Sequence, residues 1–290
     1  MLFWLGIIIL ATYVLIGLEV AFGSRKIDFL RDVRPGCLEG PPSVSLIVAA
    51  RNEERNIRAA LQSLLMLDYP CLELIVVNDR SEDHTAEILE ELGHTDPRLT
   101  ILHLQDLPGG WLGKNHALWR GSRDASGELL LFTDADVVMQ PDTLSRAVSY
   151  LQDQHLDHLA ATPEPRMPSL LLNMFGAVFG LFFGIFTRPW QAGNPRSRCH
   201  IGIGAFNLVR AGAYLEVGGH KTIAMRPDDD LKLGKIIKRA GFRQRLIYGT
   251  GLISVEWYSS IRELIVGLEK NVFAGTDYRI WLAVSGILFH

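Results

Sequence analysis

Three groups of acidic residues occur in a fixed order along this chain, and their side chains could hold a cation and remove a proton. Asp79 ends the segment VVND, Asp134 and Asp136 lie in FTDADV, and residues 228–230 form the acidic run of RPDDDLKLG. The first two groups come directly after apolar runs that predict buried strands. Since ligands bind at the carboxyl ends of parallel strands, we expect these carboxylates at one edge of a sheet.

The Asp134-Ala135-Asp136 segment has the residue types that a hard cation prefers. Mg²⁺ or Mn²⁺ favours carboxylate oxygens, and two aspartates with one spacer can bind a metal that also bridges a diphosphate. Such a metal would neutralise the charge that grows on a nucleoside diphosphate leaving group. Solvated turn aspartates are also common, so the motif alone is compatible with an ordinary turn. Its place after a predicted buried strand and downstream of Asp79 favours ligand binding.

Apolar runs and helical patterns alternate from residue 43 onward. This alternation predicts an α/β fold with a mostly parallel sheet flanked by helices. Strands are predicted at Val44–Ala50, Leu72–Val77, Leu99–Leu104 and Leu129–Thr133. One helix is predicted at Asn56–Met66, and a second is predicted to follow a cap at Ser81 or Asp83 and to run through Leu92.

Composition and charge exclude several classes of protein. The net charge of -3 and the isoelectric point near 6.3 argue against a nucleic-acid partner. The cysteines Cys37, Cys71 and Cys199 are odd in number and form no Cys-x-x-Cys pair. Neither a disulfide framework nor a zinc site is therefore expected.

The N-terminal segment 1–23 has the composition of a transmembrane anchor. It is apolar except for Glu19 and is long enough to cross a bilayer as a helix. A cleaved signal peptide is the alternative, but a basic n-region and an Ala-x-Ala cleavage site are both missing. Basic residues follow the segment and none precedes it, so the positive-inside rule predicts that the rest of the chain lies in the cytoplasm. These residues, in the predicted linker 24–42, are Arg25, Lys26, Arg31 and Arg34.

The ordered motifs ARNEE, VVNDRS, GKNHAL, FTDADV, GGHK and DDDLKLG resemble those of family-2 glycosyltransferases with the GT-A fold. The resemblance covers roughly residues 43–275, and its strength lies in the order of the motifs rather than in any one of them. It implies a catalytic domain at 43–250 and inverting transfer of a sugar from a nucleotide-sugar donor, with a UDP-sugar as the expected donor.

The resemblance also implies roles for individual residues. Asp79 would contact the nucleotide base, and Asp134 and Asp136 would handle the metal and the diphosphate. Lys114 resembles the family's basic contact to the donor, where an ammonium stabilises a diphosphate as a point charge. A solvated loop lysine is the alternative for Lys114. The expected donor-binding and metal-binding residues are Arg51, Glu53, Asp79, Lys114, Asp134 and Asp136.

The third acidic run corresponds to an acidic pair of the family that falls on Asp229 and Asp230. We predict these two as catalytic residues, with Asp230 as the general base that deprotonates the acceptor. A carboxylate beside two others should have a raised pKa, which suits that task. The run after Pro227 would also satisfy the dipole at the N-terminus of a helix over Leu231–Ala240. Both roles can hold at once.

The segment Gly202-Ile203-Gly204 contains part of a dinucleotide-binding fingerprint. It lacks the third glycine and follows no clear strand, so no nucleotide site is predicted there. The family resemblance instead implies that this stretch, through Asn207 and Arg210, lies near the acceptor.

Three further segments are apolar or amphipathic. Residues 169–187 carry no charge and are long enough to cross a bilayer, yet a single crossing would separate Asp136 from Asp230. We therefore expect an interfacial or re-entrant helix beside which a lipid could lie, with a core helix as the alternative. Residues 251–279 have an amphipathic, membrane-proximal pattern, and 280–290 are expected to start a truncated transmembrane helix.

The acceptor is expected to be a membrane lipid. The Gln-or-Arg-x-x-Arg-Trp motif of processive polysaccharide synthases and ceramide glucosyltransferases is missing after Trp257. The Gly-His-Lys, Gly-Lys-Asn-His and Glu-Lys-Asn elements are closer to enzymes that glycosylate isoprenoid lipids, such as the carotenoid-acid and hopanoid-associated glycosyltransferases. An isoprenoid or sphingolipid-like acceptor at the cytoplasmic face of the cell membrane is therefore expected. The alternatives are a polysaccharide or other non-lipid glycosyltransferase, a nucleotidyltransferase with the same metal, and a truncated donor-binding remnant without activity.

Overall fold

The strands form where the sequence has short apolar runs bounded by polar loops. The computed structural model describes residues 2–36, 40–265 and 267. The strands in this part of the chain are β1 (Val44–Ala50), β2 (Leu72–Asp79), β3 (Leu99–Leu104), β4 (Leu129–Asp134), β5 (Val137–Met139), β6 (His158–Thr162), β7 (Glu164–Arg166), β8 (Asn207–Arg210), β9 (Gln244–Tyr248) and β10 (Ile253–Glu256).

Most of the helices lie between consecutive strands and bury one face. The helix that follows β1, for example, buries Ile57, Leu61 and Leu64 at helical spacing. The described helices are α1 (Leu2–Ser24), α2 (Ile57–Leu65), α3 (Thr85–Gly93), α4 (Gly113–Asp124), α5 (Thr143–Asp153), α6 (Leu170–Thr187), α7 (Ala211–Glu216), α8 (Gly219–Thr222) and α9 (Asp229–Arg239).

The main sheet has seven strands in the order β3-β2-β1-β4-β8-β6-β9. Strands β1 to β4 are parallel, whereas β8 pairs antiparallel with both β4 and β6. Ala49 of β1 lies opposite Asp134 of β4, so the carboxyl ends of these strands coincide. A second sheet has β10 between β5 and β7. The predicted α/β fold with a mostly parallel sheet is confirmed.

Both faces of the central strands are buried, as a parallel sheet between helices requires. Successive side chains of a strand point to opposite faces. Leu46 and Val48 of β1 therefore pack in one apolar cluster, which includes side chains of α2, α3 and α5. Ile47 packs in a second cluster with side chains of α4, α7 and α9. These two layers fix the sheet edge at which the acidic residues lie.

Helix α6 lies against the domain on one face and exposes an apolar face on the other. Gly176 packs against Met167, and the ring of Phe179 meets that of Trp257 with 4.9 Å between the ring centres. Phe183 packs against a third apolar cluster of the domain. The exposed side chains of α6 are Leu170, Leu171, Met174, Phe175, Val178, Leu181, Phe182 and Phe186.

Helix α1 meets the end of α6. Glu19 forms an ion pair with Arg188 at 3.4 Å, and Gly23 packs against the ring of Trp190. Both helices are long and apolar enough to cross a membrane, by length and composition. The apolar N-terminal helix is consistent with association of the chain with a membrane.

The predicted linker 24–42 is packed on the domain over part of its length. Ile27 and Leu30 are buried, and Phe29 forms a parallel β-bridge with Tyr248. Only a few residues therefore separate the end of α1 from the first buried side chain of the domain.

The predicted amphipathic segment 251–279 is described only through residue 265 and at residue 267. Leu264 is buried, whereas Ile261 and Ile265 are exposed. The rest of that segment, and the membrane helix predicted to start at 280–290, lie outside the described residues.

His158 at the start of β6 makes the stability of the sheet depend on pH. The ring is fully buried, its Nε2 is hydrogen-bonded to Asn207 Oδ1, and its Nδ1 has no partner within the described structure. Burial lowers the pKa of His158 to about 4, whereas an unfolded histidine has a pKa of about 6.5. Because the folded state binds fewer protons, this residue destabilises the fold as the pH falls below about 6.5.

Replacing His158 by Gln removes this titration and keeps a polar side chain opposite Asn207. We expect the free energy of unfolding of the wild type to fall by about 1.3 kcal/mol more than that of His158→Gln between about pH 7.5 and 5.5. Denaturant unfolding in detergent at both pH values measures this difference. An identical pH dependence in the two proteins would contradict the account.

Candidate active site

The carboxyl ends of β2 and β4 bring two of the predicted carboxylates to one edge of the main sheet. Asp79 is buried at the end of β2, and Asp134 is partly exposed at the end of β4. Directly before Asp134, the hydroxyl of Thr133 donates to the carbonyl of Ala205 at 2.7 Å. This bond ties the loop 201–206 to β4, and the loop forms one wall of the site.

Lys114 connects the second and third acidic groups. It lies in the first turn of α4, and its Nζ is 2.7 Å from Asp134 Oδ1 and 3.5 Å from Asp229 Oδ2. Burial alone would lower the pKa of Lys114, but the charges of Asp134, Asp229 and Asp230 raise it well above its ordinary value. A lysine that stays charged here can neutralise these carboxylates or bind an added anion such as a diphosphate.

The three aspartates of the third run have different surroundings. Asp228 pairs with Arg226 and Lys232, each at 3.1 Å, and is therefore neutralised at the N-terminus of α9. Asp229 is buried and Asp230 is partly exposed, and both line the pocket next to Lys114. The structure thus separates a residue with structural ion pairs from the predicted catalytic pair.

Two backbone amides hold the side chain of Asp230. Its Oδ2 accepts a hydrogen bond from the N–H of Gly204 at 2.8 Å, and its Oδ1 accepts one from the N–H of Leu231 at 2.7 Å. Burial and then the charge of Asp229 raise the pKa of Asp230 to about 7, although Lys114 and the Leu231 amide oppose this rise. Burial also raises the pKa of Asp229. A carboxylate with a pKa near neutrality is suited to accept a proton.

The segment Gly202-Ile203-Gly204 approaches the acidic residues so closely that Gly202 leaves no room for a side chain and Gly204 leaves room only if Asp134 moves. A Cβ on Gly202 would overlap the backbone carbonyl of Asp230, and a Cβ on Gly204 would lie 2.5 Å from Asp134 Oδ2. No nucleotide site was predicted in this segment from the sequence. The pair of glycines was the available signal for a close backbone approach, but the acidic run that they approach lies at residues 228–230, far along the chain.

Asn115 connects α4 to the segment before α9. Its buried Nδ2 donates to the carbonyls of Ile223, Ala224 and Arg226 at 2.8, 3.1 and 2.9 Å. Because Asn115 directly follows Lys114, these bonds fix the lysine relative to the third acidic run. Asn115 lies within the motif GKNHAL, and no role was predicted for it from the sequence.

Glu53 and Asp136 add negative charge beside Asp134. Burial and then the charge of Asp134 raise the pKa of Asp136 to about 6. Burial and then the charges of Asp136 and Asp134 raise the pKa of Glu53 to about 7. Within the described residues, no three acidic, His or Cys side chains form a ready metal centre. A cation held by these oxygens would therefore need further ligands from a bound phosphate or from water.

Asp79 lies beside the start of α4. Arg80 donates two hydrogen bonds to its carboxylate, at 2.8 and 3.1 Å, and the same carboxylate packs against Gly113. Asp79 is therefore next to the helix that carries Lys114. Arg51, another predicted donor-binding residue, is exposed just beyond β1.

Two solved structures are similar in fold to this chain. A mannosyltransferase from Pyrobaculum calidifontis, in complex with GDP-Man and Mn²⁺, has a TM-score of 0.63 and 23% identity, covering 86% of this chain and 66% of that one. S. aureus TarS 1-349, in complex with UDP-GlcNAc, has a TM-score of 0.50 and 17% identity, covering 75% of this chain and 59% of that one. These likenesses confirm the predicted GT-A fold.

The chain belongs to the family described as glycosyltransferase like family 2, whose model matches residues 41–251. A 4,4'-diaponeurosporenoate glycosyltransferase of Staphylococcus haemolyticus is 27% identical over 243 residues, which are 82% of this chain and 63% of that protein. The protein of the same name from Staphylococcus aureus strain USA300 is 25% identical over 252 residues, which are 85% of this chain and 66% of that protein. The chain thus spans slightly less than two thirds of the length of these relatives.

Gly202→Ala and Gly212→Ala test the close approach of the loop to α9. A Cβ at residue 202 meets the backbone of Asp230, whereas a Cβ at residue 212, on α7, meets open space. We expect Gly202→Ala to lower the free energy of unfolding by about 1 to 3 kcal/mol, because backbone atoms must shift. Gly212→Ala should leave it unchanged or raise it by up to about 1 kcal/mol. Denaturant unfolding measures both, and equal effects of the two changes would argue against the close approach.

Proposed function

We propose that this chain is an inverting glycosyltransferase that moves a sugar from a nucleotide-sugar donor to a lipid acceptor at a membrane. The observation that carries the proposal is the meeting of Lys114 with Asp134, Asp229 and Asp230 at the carboxyl edge of the sheet. This is the edge at which α/β folds bind ligands. Fixed charges of both signs there suit a reaction in which a diphosphate leaves and a proton is removed.

The donor diphosphate is proposed to bind between Lys114 and Asp134. These two side chains form an ion pair at 2.7 Å. A bound phosphate would replace Asp134 as the partner of the Lys114 ammonium group. Asp134 and Asp136 would hold Mg²⁺ or Mn²⁺ together with diphosphate oxygens, and a metal ion bound there supplies positive charge to the leaving diphosphate. The carboxylate oxygens of these residues suit such an ion, and the Mn²⁺ in the Pyrobaculum mannosyltransferase complex supports the assignment.

Asp230 is proposed as the general base. Its carboxylate is partly exposed and is held by two backbone amides. As the acceptor oxygen bonds to the anomeric carbon of the sugar, Asp230 takes the hydroxyl proton, and the bond from that carbon to the diphosphate oxygen breaks. Attack from the side opposite the leaving group inverts the configuration at this carbon. Asp229, which is buried beside it, keeps the pKa of Asp230 high enough for proton removal near neutral pH.

The acceptor is proposed to be a lipid because the site adjoins an apolar surface. Phe183 of α6 packs in the same apolar cluster as Ile203 and Leu231. Ile203 directly precedes Gly204, and Leu231 directly follows Asp230. The opposite face of α6 consists of exposed apolar side chains. We propose that this face of α6 lies in the interface of a bilayer, where it would bring a lipid headgroup to the general base.

The placement of α6 favours an interfacial helix over a re-entrant one. Its inner face is packed along the domain at Gly176, Phe179 and Phe183, so the helix and the domain would meet the bilayer together. Helix α1 is proposed as the transmembrane anchor. The basic residues that follow α1 support a catalytic domain at the cytoplasmic face of the cell membrane.

The relatives support a class of acceptor and leave two classes of donor to test. Those from Staphylococcus are named 4,4'-diaponeurosporenoate glycosyltransferase, which supports a carotenoid-type isoprenoid lipid as the class of acceptor here. The proton that Asp230 is proposed to remove requires that this lipid present a hydroxyl group. The fold neighbours were solved with GDP-Man and with UDP-GlcNAc. A UDP-sugar is the proposed donor.

The direct test is transfer of radiolabel from UDP- and GDP-sugars, with Mg²⁺ or Mn²⁺, into the organic extract of membranes that carry the protein. We expect the wild type to label lipid and Asp230→Asn to label it at least about 100-fold more slowly, because the base is removed. Asp230→Asn should still bind the donor, as measured by photocrosslinking of a labelled nucleotide sugar.

Asp124→Asn is the matched control, since Asp124 is exposed at the far end of α4 and should label lipid at the wild-type rate. Label in an insoluble polymer would instead select the polysaccharide alternative. Release of pyrophosphate would select a nucleotidyltransferase, and donor binding without any turnover in the wild type would select the inactive remnant.

Removal of divalent cations should stop the reaction. We expect EDTA to abolish transfer and Mn²⁺ or Mg²⁺ to restore it. Asp136→Asn should raise the metal concentration for half-maximal rate by at least about tenfold, because one carboxylate ligand is lost. Initial rates across a metal titration measure the effect. Full transfer by the wild type in EDTA would rule out the role given to Asp134 and Asp136.

A further inference from the structure

Basic side chains gather beyond the end of α6 and at the end of α9. Residues 192–200 and 231–240 contain no Asp or Glu, although the chain as a whole has a net charge of -3. The basic residues of these two stretches that are at least partly exposed are called the basic surface below. Its members are Arg196, Arg198, His200, Lys235, Lys238 and Arg239. None of them has a role in the reaction proposed above.

Direct contacts join the two stretches into one surface. The Nζ of Lys238 donates to the backbone carbonyls of Ala192 and Asn194 at 2.6 and 2.9 Å. Burial lowers the pKa of His200, although a hydrogen bond to the carbonyl of Arg198 opposes this change. Nearby positive charges lower that pKa further, and they are those of Lys235, Lys232 and Arg239 on α9. The loop and the end of α9 therefore present their charges side by side.

The basic surface adjoins the ends of both long apolar helices. Trp190, which follows the end of α6 at Thr187, packs on Gly23 near the end of α1. Ala192 packs in the same apolar cluster as Ile27, just after α1. With α1 across a bilayer, as proposed, the C-terminal end of this helix lies at the level of the lipid headgroups. The basic surface then lies next to those headgroups.

The protein leaves charge on this surface for a partner to neutralise. Arg196 and Arg198 are exposed, and neither forms an ion pair within the residues that the structure describes. Two adjoining acidic side chains pair instead with arginines outside the surface, Glu19 with Arg188 at 3.4 Å and Asp28 with Arg245 at 3.9 Å. Clusters of about four to eight Lys and Arg residues beside a transmembrane helix attract anionic lipids. The charge and the place of the basic surface fit such a partner.

We propose that the basic surface binds the phosphate groups of anionic lipids in the leaflet on which α6 lies. It is a third contact with the bilayer, in addition to α1 and the apolar face of α6. Helix α9 has 11 residues and is therefore about 16 Å long, so lipids bound at its end lie about one helix length from Asp230. The inference rests on the membrane placement proposed above and not on the proposed transfer of sugar.

Thermal unfolding of the full chain in an uncharged detergent tests this binding. Phosphatidylglycerol and phosphatidylcholine with the same acyl chains are added separately, so that the two additions differ only in the headgroup. A ligand that binds the folded state raises the unfolding temperature. We expect phosphatidylglycerol to raise the Tm by at least about 3 °C more than phosphatidylcholine does. About 0.5 M NaCl should remove most of this difference, because salt screens exposed charges.

Three double variants locate the effect. Arg196→Gln/Arg198→Gln should lose at least about half of the rise that is specific to phosphatidylglycerol, because two exposed charges are removed. Arg196→Lys/Arg198→Lys should keep the rise, because an ammonium group also binds phosphate as a point charge. Arg58→Gln/Arg123→Gln is the matched control. It removes the same charge from α2 and α4, outside the basic surface, and should keep the full rise.

Equal Tm values with the two lipids would overturn the proposal, and so would equal losses in Arg196→Gln/Arg198→Gln and Arg58→Gln/Arg123→Gln. An equal rise with inorganic phosphate would assign the surface to a small anion. An equal rise with a short DNA duplex would assign it to nucleic acid, and either result would also overturn the proposal. If the wild type transfers no sugar, the proposed function fails while the difference between the two lipids still decides this inference.

Discussion

The concentration of like charge at the end of the sheet is the constraint on which the rest of this site depends. Asp134, Asp229 and Asp230 share one small pocket with Lys114, and the repulsion between close carboxylates is strong where water is partly excluded. Lys114 offsets part of it through its contacts with Asp134 and Asp229. The remaining repulsion and burial hold protons on carboxyl groups that would otherwise be fully ionised. The arrangement stays in place because sheet register, backbone amides and the Asn115 bonds hold the side chains.

The site lies where the sheet changes direction. Strands β1 to β4 are parallel and carry the residues assigned to the donor, whereas β8 runs antiparallel beside β4. The segment that leads into β8 supplies Gly202 and Gly204, and α9 supplies the proposed catalytic pair, Asp229 and Asp230. The residues proposed to act on the donor and on the acceptor thus come from two halves of one sheet that meet at β4. The hydrogen bond from Thr133 to Ala205 joins those halves directly.

The sequence predicts the local features of this architecture better than the contacts between distant segments. Apolar runs locate β1 to β4, and the first polar residues after them locate Asp79 and Asp134, because both depend on near neighbours in the chain. Nothing in the run 228–230 shows that Asp228 pairs with basic side chains while Asp229 faces Lys114. The same limit hid the role of Gly202, because position 202 requires glycine only through its contact with the backbone of α9. Hydropathy of α6 likewise cannot show which of its faces the domain covers.

The short connection after α1 limits how the catalytic domain moves. The first buried side chain, Ile27, follows the end of α1 at Ser24 by three residues, and Leu30 is fully buried soon after. With α1 in a bilayer, as proposed, the domain keeps one height and one tilt above the lipid and does not swing on a tether. Acceptor molecules then arrive by lateral diffusion in two dimensions. The turnover rate would then depend on the mole fraction of acceptor among the membrane lipids rather than on its concentration in the total volume. Adding inert lipid at a constant donor concentration would therefore slow the enzyme.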